Sequence, residues 1–267
     1  MSRRAPELKG PADLAIMRQA GLIVWEVIQA MIAAVRPGAT TAEIDRLAEH
    51  ETRRRGATPA FKGYRGFPAS LCISVNEEVV HGIPSEQRSL REGDVVSLDF
   101  GVFMGGFYGD SAVTVPVGQV APEAARLIDA TRAAMHAGIG AARAGNRLHD
   151  IGHAVQRVAE GAGFSVVRDF VGHGIGRRLH EEPQVPNYGT EGTGVRLKPG
   201  MVLAIEPMVN AGLPEVEILD DGWTAITLDR RPSAHFEHTV AIGPEGPTIL
   251  TLPDGVPPGR EGLLGDP

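Results

Sequence analysis

The sequence predicts an α+β fold in which antiparallel strands form one domain with helices gathered on one face. Apolar residues recur at helical spacing in two pairs of segments, and short apolar runs broken by Gly and Pro follow each pair. The 34 glycines and 20 prolines are spread among these runs, as expected for many turns between strands. The order helix, helix, strands therefore occurs twice, which indicates an internal duplication of one α+β half.

Each element follows from a local pattern. Helical spacing predicts four helices, at residues 13–35, 40–55, 122–142 and 148–162. A capping box formed by Thr40 and Glu43 marks the beginning of the second helix, and Arg36-Pro37-Gly38 ends the first. Short apolar runs predict strands within residues 61–117, 201–209, 223–227 and 235–242.

Composition is that of one globular domain. The chain has 267 residues, of which 42% are hydrophobic and 22% are charged, which are ordinary proportions for a soluble protein. We expect a single domain at residues 1–252. The last segment, PDGVPPGREGLLGDP at residues 253–267, has no periodic apolar pattern and is expected to be a flexible tail.

Charge and targeting signals exclude several classes of protein. The net charge is −7 and no long basic run occurs, which argues against direct binding of nucleic acid. No run of eighteen apolar residues exists, so no membrane-spanning helix is expected, and the N-terminus lacks the apolar segment of a signal peptide. The single cysteine, Cys72, fits a reducing compartment. These features predict a cytoplasmic protein.

Two aspartates in the segment VVSLDFGVFMGGFYGDSAVTV indicate a cation site. The segment reads as two strands joined by a Gly-containing turn. A turn centred on Met104-Gly105 places Asp99 directly opposite Asp110, whereas a turn centred on Gly105-Gly106 places Asp110 opposite Gly101. Facing carboxylates in an apolar strand pair require that one is protonated, that one reaches solvent, or that a cation lies between them. Because the strand around Asp99 is apolar on both faces, we favour the cation.

Three further side chains could complete this site. Glu206 interrupts the apolar run MVLAIEPMV, Glu237 lies in the strand-like HFEHTVAI, and His173 lies between glycines in VGHGIG. A lone buried glutamate is costly unless it is paired or metal-bound, although any one of these residues could be a satisfied core residue. Four carboxylates and one imidazole carry a formal charge of −4, which two divalent ions would balance. Such ligands suit Mn, Fe, Co or Zn.

These motifs resemble a known family, the type I methionine aminopeptidases, which have the pita-bread fold. In that fold, two halves related by a pseudo-two-fold axis form a curved antiparallel sheet covered by helices. The matching motifs are CISVNEEVVHGIP, SLDFG, YGDSA, GHGIG, LHEEPQVPN and IEP, and the resemblance extends over about residues 14–252. Only 33 positions separate His173 from Glu206, which leaves no room for the extra helical subdomain of the type II enzymes.

The resemblance implies a hydrolase that removes the initiator methionine from nascent proteins and peptides with a small second residue. Asp99 would bind one metal ion, His173 and Glu206 would bind the other, and Asp110 and Glu237 would bridge the two. A water or hydroxide bridging the metals would attack the scissile carbonyl. Glu206 would carry the proton from this water to the leaving amine.

Two histidines would contact the substrate backbone by the same resemblance. His81 and His180 would donate hydrogen bonds to the substrate and stabilise the tetrahedral intermediate, although each could be an ordinary loop or core residue. His235 precedes Glu237 by two positions and is a rival ligand. The family pattern assigns the metal to Glu237, so we expect a structural role for His235.

The resemblance also implies an apolar pocket for the methionine side chain. The side chains that would bind the substrate are Tyr64, Phe67, Cys72, His81, Leu179, His180 and Trp223. Apolar walls and a thiol suit a thioether, although each wall residue could equally belong to the core. Relatives often have an aromatic residue at position 179 and a histidine at position 65, so Leu179 would loosen one wall of the pocket.

The implied cofactors are two divalent ions per chain and one monovalent cation, the latter bound by carbonyls near Asn76, Glu78 and Ser233. The implied partners are nascent polypeptide N-termini that begin with methionine, with at most a transient contact with the ribosome. We expect a monomer that binds neither nucleic acid nor membrane.

Two other functions fit part of the pattern. Proline-specific aminopeptidases and prolidases share the fold and the ligand set, but they usually carry an added N-terminal domain. A non-catalytic pita-bread module that binds peptides or histones would typically have lost metal ligands, whereas all five positions are filled here.

Overall fold

The computed structural model describes residues 5–257 and residue 259. The helices in this part of the chain are α1 (Pro11–Ala34), α2 (Thr41–Arg54), α3 (Pro122–Ala141), α4 (Leu148–Gly161) and a short 3₁₀ helix (Tyr64–Gly66). The strands of the first half are β1 (Thr58–Pro59), β2 (Cys72–Val75), β3 (Glu78–Val80), β4 (Val95–Met104) and β5 (Phe107–Pro116).

The second half contributes ten strands to the described part of the chain. They are β6 (Ser165–Val166), β7 (Gly172–Gly174), β8 (Glu181–Val185), β9 (Val202–Ile205), β10 (Met208–Asn210), β11 (Val216–Ile218), β12 (Ala225–Thr227), β13 (Ser233–His235), β14 (Glu237–Ile242) and β15 (Pro247–Ile249).

These elements confirm the predicted α+β class and the repeated order of helix, helix and strands. The bounds of the helices differ from the prediction by at most two residues, and the capping box at α2 forms as predicted, with the Glu43 amide donating to the Thr40 hydroxyl at 3.2 Å. The predicted strand at 201–209 is interrupted at Glu206-Pro207, since proline has no amide hydrogen for the ladder. Of the predicted tail at 253–267, residues 258 and 260–267 lie outside the described residues.

One large sheet joins the two halves. Its nine strands run in the order β1-β4-β5-β14-β9-β7-β8, with β15 on β14 and β2 on β4, and every pairing is antiparallel. Within this sheet the halves meet in the pairing of β5 with β14, where Glu237 lies opposite Ala112. Two three-stranded sheets, β13-β10-β6 and β11-β12-β3, complete the fold.

Helix α1 packs on the large sheet. Its buried residues recur at helical spacing, for example Met17, Ala20, Val24 and Val27, and they contact β4 and β5. Contrary to the expectation from the sequence, α1 is long and apolar enough to cross a membrane by length and composition, because its most apolar 18-residue window has a mean hydropathy of 1.3. The helix reaches this value because it is a core helix, and 44% of its most apolar window is buried inside the protein.

A glycine lets helix α1 approach the C-terminal part of the described chain. A Cβ atom at Gly21 would lie 2.3 Å from the carbonyl oxygen of Leu250, which is a backbone atom that cannot rotate away. Arg18, one turn earlier on the helix, donates hydrogen bonds to the carbonyls of Ile249 and Leu250 at 2.9 and 3.0 Å. The segment at Ile249 and Leu250 is therefore held against α1 by close backbone packing.

Replacing Gly21 with alanine should lower the free energy of unfolding by roughly 1–3 kcal/mol, as overpacked core substitutions do. The matched control is Gly140→Ala on α3, where a Cβ atom meets nothing within 4 Å. That substitution should raise the free energy of unfolding by roughly 0.5–1 kcal/mol through helix propensity alone. Urea unfolding measures both values, and a stabilising Gly21→Ala would contradict the close packing.

Candidate metal centre

All twelve residues singled out by the sequence line one cavity of about 140 Å³. The cavity has a polar end, where acids and histidines gather, and an apolar end, where aromatic side chains gather. Its lining residues are Phe61, Tyr64, Arg65, Phe67, Cys72, His81, Asp99, Asp110, His173, Leu179, His180, Glu206, Trp223 and Glu237. Sequence reasoning missed Phe61, and nothing distinguishes it in the sequence from other apolar residues near strands.

The two aspartates lie on a hairpin whose register differs from the one that places them directly opposite each other. Met104 pairs with Phe107, so the turn is Gly105-Gly106 and Asp110 lies opposite Gly101. Both turn glycines have positive φ, which explains why the turn forms there. Asp99 and Asp110 are instead diagonal neighbours on one face of the sheet, a separation that carboxylates can still span. Gly101 leaves room for this, because a Cβ atom there would lie 3.2 Å from Oδ1 of Asp110.

Four neighbouring strands bring the remaining candidates to the aspartates. In the order β5, β14, β9 and β7, these strands carry Asp110, Glu237, Glu206 and His173, with Glu206 immediately after the end of β9. Ligand atoms of Asp110, His173 and Glu237 all lie within 4.8 Å of one another. The Nε2 atom of His173 lies 3.4 Å from Oε1 of Glu206. The antiparallel sheet thus gathers side chains that lie far apart in the chain, with more than one hundred positions between Asp110 and Glu237.

Burial shifts the pKa of every acid in this cluster upwards. Burial raises the pKa of Asp99 to about 7. It also raises the pKa of Asp110, Glu206 and Glu237 well above their ordinary values, and the charges of neighbouring carboxylates add to the effect. Among the described residues, Oδ1 of Asp110 and Oε1 of Glu237 are buried without a hydrogen-bond partner. Such a cluster is costly unless positive charge neutralises it.

His173 is prepared to act as a neutral ligand. Burial lowers the pKa of its imidazole to about 4, so the ring is uncharged at neutral pH. Its Nδ1–H donates to the carbonyl of Gly174 at 2.9 Å. The unprotonated Nε2 therefore faces Glu206, which is the arrangement that metal-binding histidines adopt.

The residues of this cluster fit a divalent metal ion. The donor set consists of carboxylate oxygens and one imidazole nitrogen. Cys72 also lines the cavity, but burial raises the pKa of its thiol well above the ordinary value, so it is not a thiolate donor. The unpartnered oxygens of Asp110 and Glu237 point to the same conclusion, because a cation would satisfy both.

The apolar end of the cavity is built from side chains of the first half and from Leu179 and Trp223 of the second half. Phe67 and Trp223 pack edge to face with their ring centroids 5.2 Å apart, and the side chain of Leu179 is buried. Arg65 lies over the ring of Tyr64 at 5.4 Å and has a positive φ of 51°. The pocket is therefore apolar in its depth and carries a cation at its rim.

His180 connects the two ends of the cavity. Its ring centroid lies 4.2 Å from that of His173, and its Nδ1 lies 2.9 Å from the hydroxyl of Tyr64. Burial, followed by the charge of His173, lowers the pKa of His180 to about 3. The ring is therefore neutral, and if the hydroxyl donates to Nδ1 the ring carries its proton on Nε2.

His81 and His235 lie at the other side of the cluster. His81 has a positive φ of 62° and contacts Phe170 and Trp223 edge to face, and burial lowers its pKa. His235 does not line the cavity, but its Nε2 lies 3.8 Å from Oε2 of Glu206. Neither ring nitrogen of His235 has a hydrogen-bond partner among the described residues.

Comparison with known proteins matches this arrangement to characterised peptidases. A family-wide sequence pattern described as metallopeptidase family M24 matches residues 15–244. The chain is 54% identical to a methionine aminopeptidase of Clostridium perfringens, over 92% of this chain and 98% of that protein. It is 50% identical to methionine aminopeptidase 1 of Bacillus subtilis, over 91% of this chain and 98% of that protein.

Solved structures agree with these sequence relatives. The crystal structure of methionine aminopeptidase from Thermotoga maritima has a TM-score of 0.92 and 44% identity, and the match covers 93% of this chain and all of that one. A prolidase from Pyrococcus furiosus shares the fold with a TM-score of 0.74 at 23% identity, and this chain covers 66% of its length. These neighbours confirm the predicted pita-bread fold.

Without metal, the protein should lose stability as the pH rises from 7 to 8. In the unfolded chain the carboxyl groups are ionised and the histidines are mostly neutral in this interval. In the folded chain burial keeps the carboxyl groups of the cluster partly protonated, because it raises the pKa of Asp99 to about 7 and the pKa values of Asp110, Glu206 and Glu237 well above their ordinary range. The folded state then binds more protons, and the free energy of unfolding falls by up to about 1.4 kcal/mol per extra proton and pH unit.

Urea unfolding in the presence of a chelator measures this dependence. Below pH 7 the histidines of the unfolded chain take up protons, whereas His173 and His180 stay neutral in the folded chain because burial lowers their pKa. These two groups make the free energy of unfolding rise with pH, so the test interval begins at pH 7. Added Mn²⁺ should remove the dependence by replacing the protons, and Glu237→Gln should reduce it by removing one titrating group. A metal-free protein whose stability is constant from pH 7 to 8 would contradict the shifted carboxyl groups.

Proposed function

The chain belongs to metallopeptidase family M24 and, within it, to the methionine aminopeptidases, and we propose that it removes the initiator methionine from nascent chains with a small second residue. The observation that carries this proposal is the cavity itself. It combines a cluster of buried carboxylates and a neutral imidazole with an apolar pocket that accommodates one side chain.

The enzyme uses divalent metal, as its family does, and we propose two ions per chain. Asp99 would hold one ion, His173 and Glu206 the other, and Asp110 and Glu237 would contact both. Ions bound there supply Lewis-acid polarisation of the scissile carbonyl and lower the pKa of a bound water. Oxygen and imidazole donors suit Mn, Fe, Co or Zn.

The protein's own groups would bind the substrate and move its protons. Glu206 has a pKa raised by burial, which suits a group that accepts a proton from the attacking water and returns it to the leaving amine. His180 is neutral, and its Nε2–H can donate to the substrate backbone because its Nδ1 contacts Tyr64. His81, also kept neutral by burial, would donate from the opposite side.

The apolar end would bind the methionine side chain. Phe67 and Trp223 would contact its methylene groups, and Cys72 offers a polarisable atom beside the thioether. Leu179 forms a wall with a small branched side chain. The remaining chain of the substrate would leave past Arg65 and His180 at the rim.

The wider setting is also part of the proposal. We propose a single catalytic domain at residues 1–252, a monomeric cytoplasmic enzyme, and nascent N-termini as partners with at most a transient ribosome contact. The amide of Ser233 donates to the carbonyl of Asn76 at 2.9 Å, which brings together two of the three segments expected to bind a monovalent cation.

A peptide assay tests the proposed function against the two alternatives. The metal-loaded protein should release methionine from Met-Ala-Ser, and it should not cleave a peptide with proline second and a residue other than methionine first. Cleavage of the second peptide alone would indicate a proline-specific enzyme. A protein that cleaves neither peptide with Mn, Co or Fe present would be a binding module, and the proposed function would be wrong.

Replacing either bridging acid should abolish methionine release. Asp110→Asn and Glu237→Gln each remove a negative charge that both metal ions would share, so both metal affinity and turnover should fall. The matched control is Asp129→Asn on the exposed surface of α3, which removes an acid of the same type outside the cavity. Normal turnover in either bridging variant, measured as methionine released per metal-loaded protein, would refute the assignment of the ligands.

A further inference from the structure

The loop between β7 and β8 carries two of the residues proposed to bind the substrate. Leu179 and His180 lie in this loop, outside any strand, and their side chains line the cavity from it. Backbone hydrogen bonds hold mainly the first two residues of the loop. The amide of Ile175 donates to the carbonyl of Val202 at 3.1 Å, and Gly176 accepts from the amide of Tyr108 at 2.9 Å and donates to the carbonyl of Arg178 at 3.2 Å. The position of the His180 ring therefore depends on side chains that reach the loop from elsewhere.

Lys9 is such a side chain. It belongs to the segment before α1, where its amide donates to the carbonyl of Gly200 at 2.7 Å. Its aliphatic part passes directly over Gly176, because a Cβ atom at that glycine would lie 2.2 Å from Cε of the lysine. Its ammonium group forms an ion pair with Glu181, and the side chains of both partners are 2% exposed. The same ammonium donates to the carbonyl of Glu7 at 3.1 Å.

Glu181 transmits this contact to the loop. The residue directly follows His180 and begins β8. Its other carboxylate oxygen, Oε1, accepts the amide of Arg178 at 3.1 Å, which closes a turn around Leu179 and His180. One carboxylate thus joins Lys9 to both ends of the short segment that carries the two cavity residues.

The exposed ion pairs near the loop are weaker candidates for holding it in position. Arg177 lies 3.3 Å from Glu7 and 3.0 Å from Asp13, but about half of its side chain is exposed. Solvent-exposed pairs contribute little because water screens them. The buried pair of Lys9 and Glu181 differs, since breaking it leaves a charge without a partner inside the protein.

We propose that Lys9 is a positioning residue for His180, which acts through Glu181 to hold the imidazole in hydrogen-bonding distance of Tyr64 and facing the substrate. This inference rests on the proposed function for its kinetic consequence. Its structural consequence does not: without the ammonium group, the turn that Glu181 closes loosens and the ring leaves its place between His173 and Tyr64.

A double-mutant cycle tests the kinetic consequence. Lys9→Met keeps the length of the side chain and removes its charge, and it should lower kcat/KM for Met-Ala-Ser at least about tenfold, since a displacement of about 1 Å in a catalytic group can cost 10²-fold. In a His180→Ala background the same substitution should change kcat/KM less than about twofold, because the group that it positions is already absent. Equal factors in both backgrounds would overturn the proposal.

Two controls separate positioning from loss of stability. Val155 lies on α4 in a buried apolar cluster that also contains Val166 of β6. Val155→Ala removes buried methyl groups there and should lower the free energy of unfolding while leaving kcat/KM of the folded protein unchanged. Glu181→Gln retains an acceptor for the Arg178 amide but removes the charge that Lys9 meets, so it should show the same non-additivity with His180→Ala. If Lys9→Met does not fold, Glu181→Gln carries the test alone.

Two measurements other than activity complete the test. Metal affinity, determined by competition with a chelator, should stay within about twofold of the wild type in Lys9→Met, because the metal ligands lie outside the turn. A loss of metal affinity equal to the loss of activity would mean that the pair acts through His173 and would overturn the proposal. A crystal structure of Lys9→Met in which the contact between His180 and Tyr64 persists would also overturn it, even if the wild type cleaved no methionine peptide.

Discussion

The structure depends on one electrostatic constraint, which is that four carboxylic acids share a buried cavity within reach of one another. Burial and mutual repulsion raise the pKa of each, and two of their oxygens have no hydrogen-bond partner among the described residues. Water cannot hydrate a cluster in this position as it would at the surface. Protons or divalent cations must therefore compensate the charge, and a neutral imidazole beside the acids favours the cation.

The fold makes this cluster possible because a sheet is rigid where the acids are placed. Asp110, Glu237 and His173 each lie on a strand whose neighbours on both sides are hydrogen-bonded. The pairing of β5 with β14 joins the two halves at the same place. An unfavourable set of charges can persist there because the hydrogen bonds and the apolar core of many strands over-determine the positions of the side chains.

The side of the cavity that we propose binds the substrate is built in a different way. His180 and Leu179 lie on a loop and His81 has a left-handed backbone conformation, so contacts from distant segments hold these residues. The hydroxyl of Tyr64 and the ion pair of Lys9 with Glu181 are two such contacts. The proposed metal ligands are thus fixed by the sheet, whereas the groups that would meet the peptide are fixed by side chains.

The sequence by itself determined the α+β class, the bounds of the helices to within two residues and twelve of the fourteen residues that line the cavity. The class, the helix bounds and the acids follow from local signals, since helical spacing, the capping box of Thr40 and Glu43, and acids in apolar runs can each be recognised without knowing what they contact. The residues expected to bind the substrate came instead from the resemblance to the type I methionine aminopeptidases. Only the tertiary structure decided how these pieces meet. It set the turn at Gly105-Gly106, which makes Asp99 and Asp110 diagonal neighbours, and it split the strand before Pro207. It also placed Lys9 on Glu181, 172 positions away, and turned His235 towards Glu206. Such contacts cannot be derived from one sequence, because they arise where packing in three dimensions brings together residues whose local patterns carry no information about each other.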